Sequence, residues 1–183
     1  MFGLFRNRTH DAVATRLYGA LTQAARRPVL FVDLGVPDTV EGRYDMMVLH
    51  LFLLAQRLQA GSAEARQIGQ AVCDRFFTEM DRAMREMGVG DLTVPKKMTK
   101  IAELYAGCSQ AYAAGLAETD NVALAAALVR NVYEGRTEMA PQSAVLAAYM
   151  RAATAWLARL PEAELVDALP AFPDPASFPA SAA

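Results

Sequence analysis

DTVEGRYDMMVLHLFLLAQRL, residues Asp38 to Leu58, decides how this chain is read. Asp38-Thr39-Val40-Glu41 opens it as a variant of the capping box, an acidic N-cap with a glutamate three residues later. From Met46 to Leu54 every residue except His50 is apolar, so no side of that helix is polar. A helix that is apolar all round belongs in a protein's interior. The segments on either side must therefore supply the apolar faces that cover it.

They do so at helical spacing. On the N-terminal side, Val13, Leu17, Ala20, Leu21 and Ala24 form one stripe, which predicts a helix from near Thr9 and Asp11 to Arg26-Arg27-Pro28. The two arginines suit a helix C-terminus, where cations are favoured. Pro28 to Pro37 carries Val29, Leu30, Phe31, Val32 and Leu34 and reads as a packed loop. On the other side, Gly61-Ser62 opens a helix running to Met87. Its stripe is Ile68, Val72, Phe76, Met80, Ala83 and Met87, flanked by Phe77 and Met84. Gly88 is placed to end it in the left-handed conformation, with Val89 making the accompanying apolar contact.

A further helix is predicted from Pro95, a residue suited to a first turn. Met98, Ile101, Tyr105, Cys108 and Tyr112 face inward there, and Lys96, Lys100 and Glu103 face out. Two more helices follow over Asp120–Tyr133 and Pro141–Leu160, with Trp156 on the core face of Leu146, Tyr149, Ala153 and Leu157. A short one from Pro161 to Leu169 closes the fold. The expected architecture is all-α: a single-domain bundle of about six or seven helices without a sheet. Residues 1–8 form a flexible N-terminus, 9–169 the helical domain, and 170–183 a disordered Pro/Ala-rich tail.

Composition agrees. The chain has 183 residues and a mass of 19.8 kDa, enough for one core that buries about 70% of the unfolded surface without disulfide or metal. Alanine, the best helix former, contributes 36 residues. With 54% hydrophobic and 21% charged residues, the chain is not intrinsically disordered. A net charge of −2 speaks against a sequence-specific or general nucleic-acid binder. The charge-free apolar stretch Met46–Gln56 is roughly half of the ~20 residues a transmembrane helix needs. Met-Phe-Gly-Leu-Phe-Arg-Asn-Arg at the start has no long apolar region, so no export signal is expected. Its Phe2, Leu4 and Phe5 beside Arg6 and Arg8 offer weak membrane contact at best.

Catalytic chemistry is sparse. No phosphate-binding glycine loop follows a strand, and no GxSxG elbow occurs. Cys73 and Cys108, with only His10 and His50 beside them, cannot assemble a conventional zinc site and read as reduced core thiols. His50, in an apolar stretch, reads as a satisfied core histidine. The carboxylate pairs Glu79/Asp81 and Glu86/Asp91 are surrounded by arginines, and Asp81–Arg85 and Arg82–Glu86 stand at ion-pair spacing on a solvated face. Two features bear on binding. Lys96, Lys97 and Lys100 crowd a helix start, where acids are favoured, and suit an acidic partner: phospholipid, ribosomal RNA or an acidic protein. The methionines Met46, Met47, Met80, Met84, Met87 and Met98 cluster on neighbouring helices; they fill a core or line an adaptable apolar surface.

Three segments together carry a resemblance: LYGALTQAARRPVLFVDLGVPDTVEGRYD (Leu17–Asp45), MMVLHLFLLAQRL (Met46–Leu58) and FFTEMDRAMREMGVGDLTVPKKMTK (Phe76–Lys100). They resemble the ubiquinol-cytochrome c chaperone family, the assembly factors of the cytochrome bc1 complex, over roughly residues 10 to 160. The resemblance implies an all-helical, non-enzymatic protein without a cofactor. It further implies a client, newly made cytochrome b, met at the ribosome or at the cytoplasmic face of the inner membrane. Mitochondrial members act with a small partner protein; this chain resembles a bacterial, alphaproteobacterial member. On that reading Met80 and Met84 belong to the client surface, Asp81, Arg85, Glu86 and Asp91 shape its rim, and Lys96, Lys97 and Lys100 steer the client. A carrier of quinone, haem or lipid within the bundle is the alternative.

Overall fold

A computed structural model describes residues 2–167 and 171–178, with residues 2–9 as backbone only. The described residues form eight α-helices and two 3-10 turns, with no strand. The helices are α1 (Phe2–Ala25), α2 (Pro28–Val32), α3 (Val40–Gln59), α4 (Ala63–Glu86), α5 (Val94–Ala117), α6 (Val122–Asn131), α7 (Ala140–Arg159) and α8 (Glu162–Asp167). The turns are Thr137–Met139 and Pro175–Ser177.

The central helix is α3, as its sequence requires. Each residue from Met46 to Leu54 is at most 7% exposed. It packs on α1, α4, α5 and α7, while α6 bridges α5 to α7 at the far side. The start of α3 differs from expectation by one residue. Thr39, not Asp38, is the N-cap, and its hydroxyl accepts from the Gly42 amide at 3.1 Å. Asp38 instead binds Arg43 at 2.7 Å. Helix α4 begins and ends as read: the Ser62 hydroxyl accepts from the Ala65 amide, and Gly88, at φ 81°, closes a Schellman turn. Its two bonds run from Gly88 N–H to Arg85 O and from Val89 N–H to Met84 O, each at 3.0 Å.

Three segments depart from the sequence reading. Backbone helix extends from Phe2, ahead of the start expected near Thr9. Pro28–Val32 is a short helix rather than a loop; Leu30, Leu34 and Val36 anchor it and the chain that follows in the core, while Val32 points into solvent. The third is the tail, expected to be disordered. Residues 171–178 lie against the body, and 168–170 and 179–183 are outside the described residues. Phe172 is 3% exposed, with its ring edge-on to His50 (centroids 5.2 Å) and beside Trp156 (6.1 Å). Trp156 is thus half-buried under the tail instead of within the central core.

Arginines tie the ends together. Helix C-termini leave carbonyls without intrahelical partners, and a guanidinium satisfies several at once. Arg151 donates to Gly115 O and Leu116 O at the end of α5 and to Asp120 O in the connection to α6, and Arg57 to Leu157 O and Leu160 O at the end of α7. Arg16 reaches Val166 O, and Arg27 holds the tail through Phe172 O and Pro173 O. Replacing Arg27 by methionine keeps the stem but strands those carbonyls. We expect a loss of about 2 kcal/mol in urea unfolding and faster proteolytic cleavage after residue 170. Parent-like cleavage would show that Phe172 alone holds the tail.

Candidate functional site

The site candidates lie where α4 and α5 leave the core. On α4 the last fully buried residue is Phe76. Its ring meets Phe77 (5.2 Å) and Tyr105 of α5 (6.3 Å), and Tyr44 of α3 completes the cluster, its hydroxyl donating to Ile101 O at 3.1 Å. Beyond this cluster the apolar stripe of α4 has no buried residue. Met80 and Met84 are half-buried and Met87 is 59% exposed. Across the turn only Val94 is buried; Met98 of α5 is half-buried and Leu92 is 98% exposed.

The charged candidates divide into paired and unpaired groups. Arg85 is the hub: Nε and Nη2 grip the Asp81 carboxylate at 2.7 and 3.2 Å, and Nη1 reaches Asp91 across the turn at 2.5 Å. Arg82 holds Glu86 at 2.8 Å. The Arg85 hydrogen bonds keep the Asp81 carboxyl below its ordinary pKa, and the carboxylate partners raise both arginines. Asp81, Arg85 and Asp91 are thus one network, and Glu86 belongs to a separate pair. Lys96, Lys97 and Lys100 are exposed on α5 and take no part in either. All of these pairs are solvent-exposed, so they shape a surface and add little stability.

The remaining chemistry-bearing residues do not converge. His50 is fully buried; its Nδ1–H donates to Met46 O at 2.8 Å and its Nε2 accepts from the Tyr149 hydroxyl at 2.7 Å. Burial lowers its pKa to about 4, so it stays neutral and structural. Cys73 and Cys108 are unpaired and half-buried, and burial pushes both thiols up. Among the described residues, no cluster of His, Cys, Asp and Glu is placed to hold a metal, and no helix is long and apolar enough to cross a membrane.

Two features escaped the sequence reading. Asp45 is half-buried; burial foremost, then the charges of Glu134 and Glu41, raises its pKa to about 7, and its own charge acts on Cys108 and Tyr112 of α5. A groove of about 850 Å³ between α6 and α7 is lined by Ala125, Ala126, Val129, Ala140 and Ala144. Alanine-rich helices give no sign of which small faces will stand apart. The Asp45 environment likewise depends on three elements meeting.

Comparison with known proteins agrees with this architecture. The crystal structure of the Cbp3 homolog from Brucella abortus matches with a TM-score of 0.86 and 34% identity, over 97% of this chain and 98% of that one. No curated protein matches significantly. The family model described as ubiquinol-cytochrome C chaperone matches residues 32–172, a span that holds the buried helix α3, the charged α4–α5 turn and Phe172. With both its defining segments and its whole-chain fold accounted for, the chain belongs to the ubiquinol-cytochrome c chaperone family.

Proposed function

We propose that this chain is a non-enzymatic assembly chaperone of the cytochrome bc1 complex that holds newly made cytochrome b at the cytoplasmic face of the inner membrane. The family supports the assembly role. The observation that supports the client surface is the methionine strip of α4. Met80, Met84 and Met87 continue a core stripe outward with falling cover: Met80 still packs against the core, Met84 is half-buried and Met87 is 59% exposed, and Met98 on α5 is half-buried too. Unbranched, polarisable side chains adapt to varied apolar helices, which is what an unassembled polytopic client presents. The Arg85 network fixes the rim beside the strip, and the lysines steer the client's approach.

Affinity capture of the tagged protein from translating, detergent-solubilised cells tests this reading. Cytochrome b should be enriched ahead of other abundant inner-membrane proteins, and a capture without it would overturn the reading. In the same assay, K96E/K97E/K100E should lower capture several-fold at low salt and much less at high salt, because exposed charges act within a Debye length of about 10 Å. Unchanged capture by the folded variant would remove the lysines from the client path.

The α6–α7 groove favours the carrier as a second reading. Its apolar walls suit a lipid or quinone, whereas haem would find no histidine, cysteine, methionine or tyrosine ligand among its lining residues. Solvent extraction of the purified protein decides this. A stoichiometric lipid or quinone would put the carrier first, and an empty extract would dismiss it.

A further inference from the structure

The apex of the α4–α5 arm combines two properties not found together elsewhere in the described structure. One is exposed apolar surface: Leu92 at 98% and Met87 at 59% exposure flank a turn of small residues, Gly88 and Gly90 among them. The other is lysine. All the lysines of the chain, Lys96, Lys97 and Lys100, stand within this one stretch, and all are exposed. Elsewhere the cationic work is done by arginine, and much of it is internal. Arg16, Arg27, Arg57 and Arg151 satisfy backbone carbonyls, while Arg43 and Arg75 hold carboxylates.

The acids of the apex are neutralised where they would repel an anionic surface. Asp91, the only acid in the turn, is bound by Arg85, which also holds Asp81; Glu86 is bound by Arg82. Residues 81–100 contain five cations (Arg82, Arg85, Lys96, Lys97, Lys100) against three anions (Asp81, Glu86, Asp91), on a chain whose net charge is −2. The positive field is therefore local and sits directly behind an apolar tip.

From this we infer that the α4–α5 apex is a membrane-docking tip that inserts Leu92 and Met87 among the headgroups of anionic phospholipid while Lys96, Lys97 and Lys100 bind their charges. The chemistry favours a bilayer over the other polyanion, RNA. Base recognition in single strands uses aromatic stacking platforms, and residues 81–100 contain no aromatic side chain. An exposed leucine gains nothing from a phosphate backbone but gains fully from an acyl boundary. The inference deepens the assembly reading, on which its biological sense rests: it would set the methionine strip of α4 at the surface from which a membrane client emerges.

Vesicle co-sedimentation of the full-length protein tests it without any client. Phosphatidylcholine vesicles with about a third phosphatidylglycerol should bind it at low salt, and pure phosphatidylcholine should not. Each lysine near an anionic surface is worth roughly fivefold in partitioning, so K96E/K97E/K100E should lose about 100-fold or more. M87S/L92S should lose about tenfold with an unchanged thermal midpoint, because both side chains are already exposed. Absence of binding to the anionic vesicles overturns the inference. So does full binding by M87S/L92S, and so does lysine-dependent binding to polyuridylic acid that outcompetes the vesicles. Cytochrome b capture is scored in detergent, so it stands or falls separately from this result.

Discussion

Gly42→Ala is expected to destabilise the protein by about 3 kcal/mol or more, lowering the thermal midpoint by roughly 6–12 °C. Gly42 is buried in the first turn of α3, and a β-carbon built there meets the Pro37 carbonyl oxygen well inside van der Waals contact. That oxygen is backbone, so no side-chain rotation relieves the overlap. The strand of chain behind it cannot retreat either, because Val36 and Leu34 are buried anchors. Moving the start of α3 instead would pull the Gly42 amide away from the Thr39 hydroxyl and lose the cap, about 1 kcal/mol by itself. Either route disturbs the helix around which the bundle is built. Gly107→Ala is the matched control: Gly107 lies mid-helix in α5 with open space at its β-carbon, and alanine there should stabilise by up to about 1 kcal/mol. Urea unfolding of both variants would decide the matter. A Gly42→Ala midpoint at or above the parent's would mean that the Pro37 turn is far softer than its packing indicates.

The same turn shows where the sequence is legible and where it is not. The burial of Met46–Leu54 could be read directly, since a run without a polar face has only one environment open to it. The caps at Ser62 and Gly88 were equally readable, because their partners lie within a few residues. Propensity alone favours either Thr39 or Asp38 as N-cap; in the fold Thr39 takes the role and the Asp38 carboxylate is held by Arg43. Helix α2 is five residues long, too short for a period to show. The docking of Phe172 depends on Arg27, His50 and Trp156, contacts that no local pattern encodes.

The candidate site divides in the same way. Asp81–Arg85 and Arg82–Glu86 followed from helical spacing. The Arg85–Asp91 contact crosses the turn, and it separates Asp91 from Glu86, with which the sequence reading pairs it. The methionine stripe had the right spacing for a core helix all the way to Met87. What spacing could not say is that the stripe loses burial beyond Phe76, from half-buried Met80 and Met84 to exposed Met87. The chemistry of the surface is therefore written in sequence, but its exposure is a property of the tertiary fold.

Asp45→Asn should make the protein's stability more sensitive to acid. Fully buried His50 and half-buried Asp45 oppose each other in the parent. His50 has a folded pKa of about 4, below its ordinary 6.5. Its contribution is complete above pH 6.5 and is lost as pH falls towards 4, because the unfolded chain takes up the proton that the core refuses. That loss amounts to about 3 kcal/mol. Asp45 runs the other way. Burial first, then Glu134 and Glu41, raise its folded pKa to about 7 from 3.8, so its contribution is complete below 3.8 and is lost as pH rises through 7. Allowing for its partial contact with water, the loss is on the order of 2 kcal/mol. Over pH 4 to 7 the two slopes largely cancel, leaving a net change of about 1 kcal/mol.

Asparagine is isosteric with aspartate and permanently neutral, so Asp45→Asn removes only one of these slopes. Near pH 4 and below, the variant should match the parent. At pH 8 it should be more stable by on the order of 2 kcal/mol, and its own stability should fall by about 3 kcal/mol between pH 7 and 4. Urea midpoints measured at half-unit pH steps would show the two curves diverging upward with pH. Parallel curves would mean that Asp45 ionises in the fold as freely as in the unfolded chain, and that Glu41 and Glu134 do not act on it. A variant less stable than the parent at pH 8 would instead mean that the ionised carboxylate has a favourable partner.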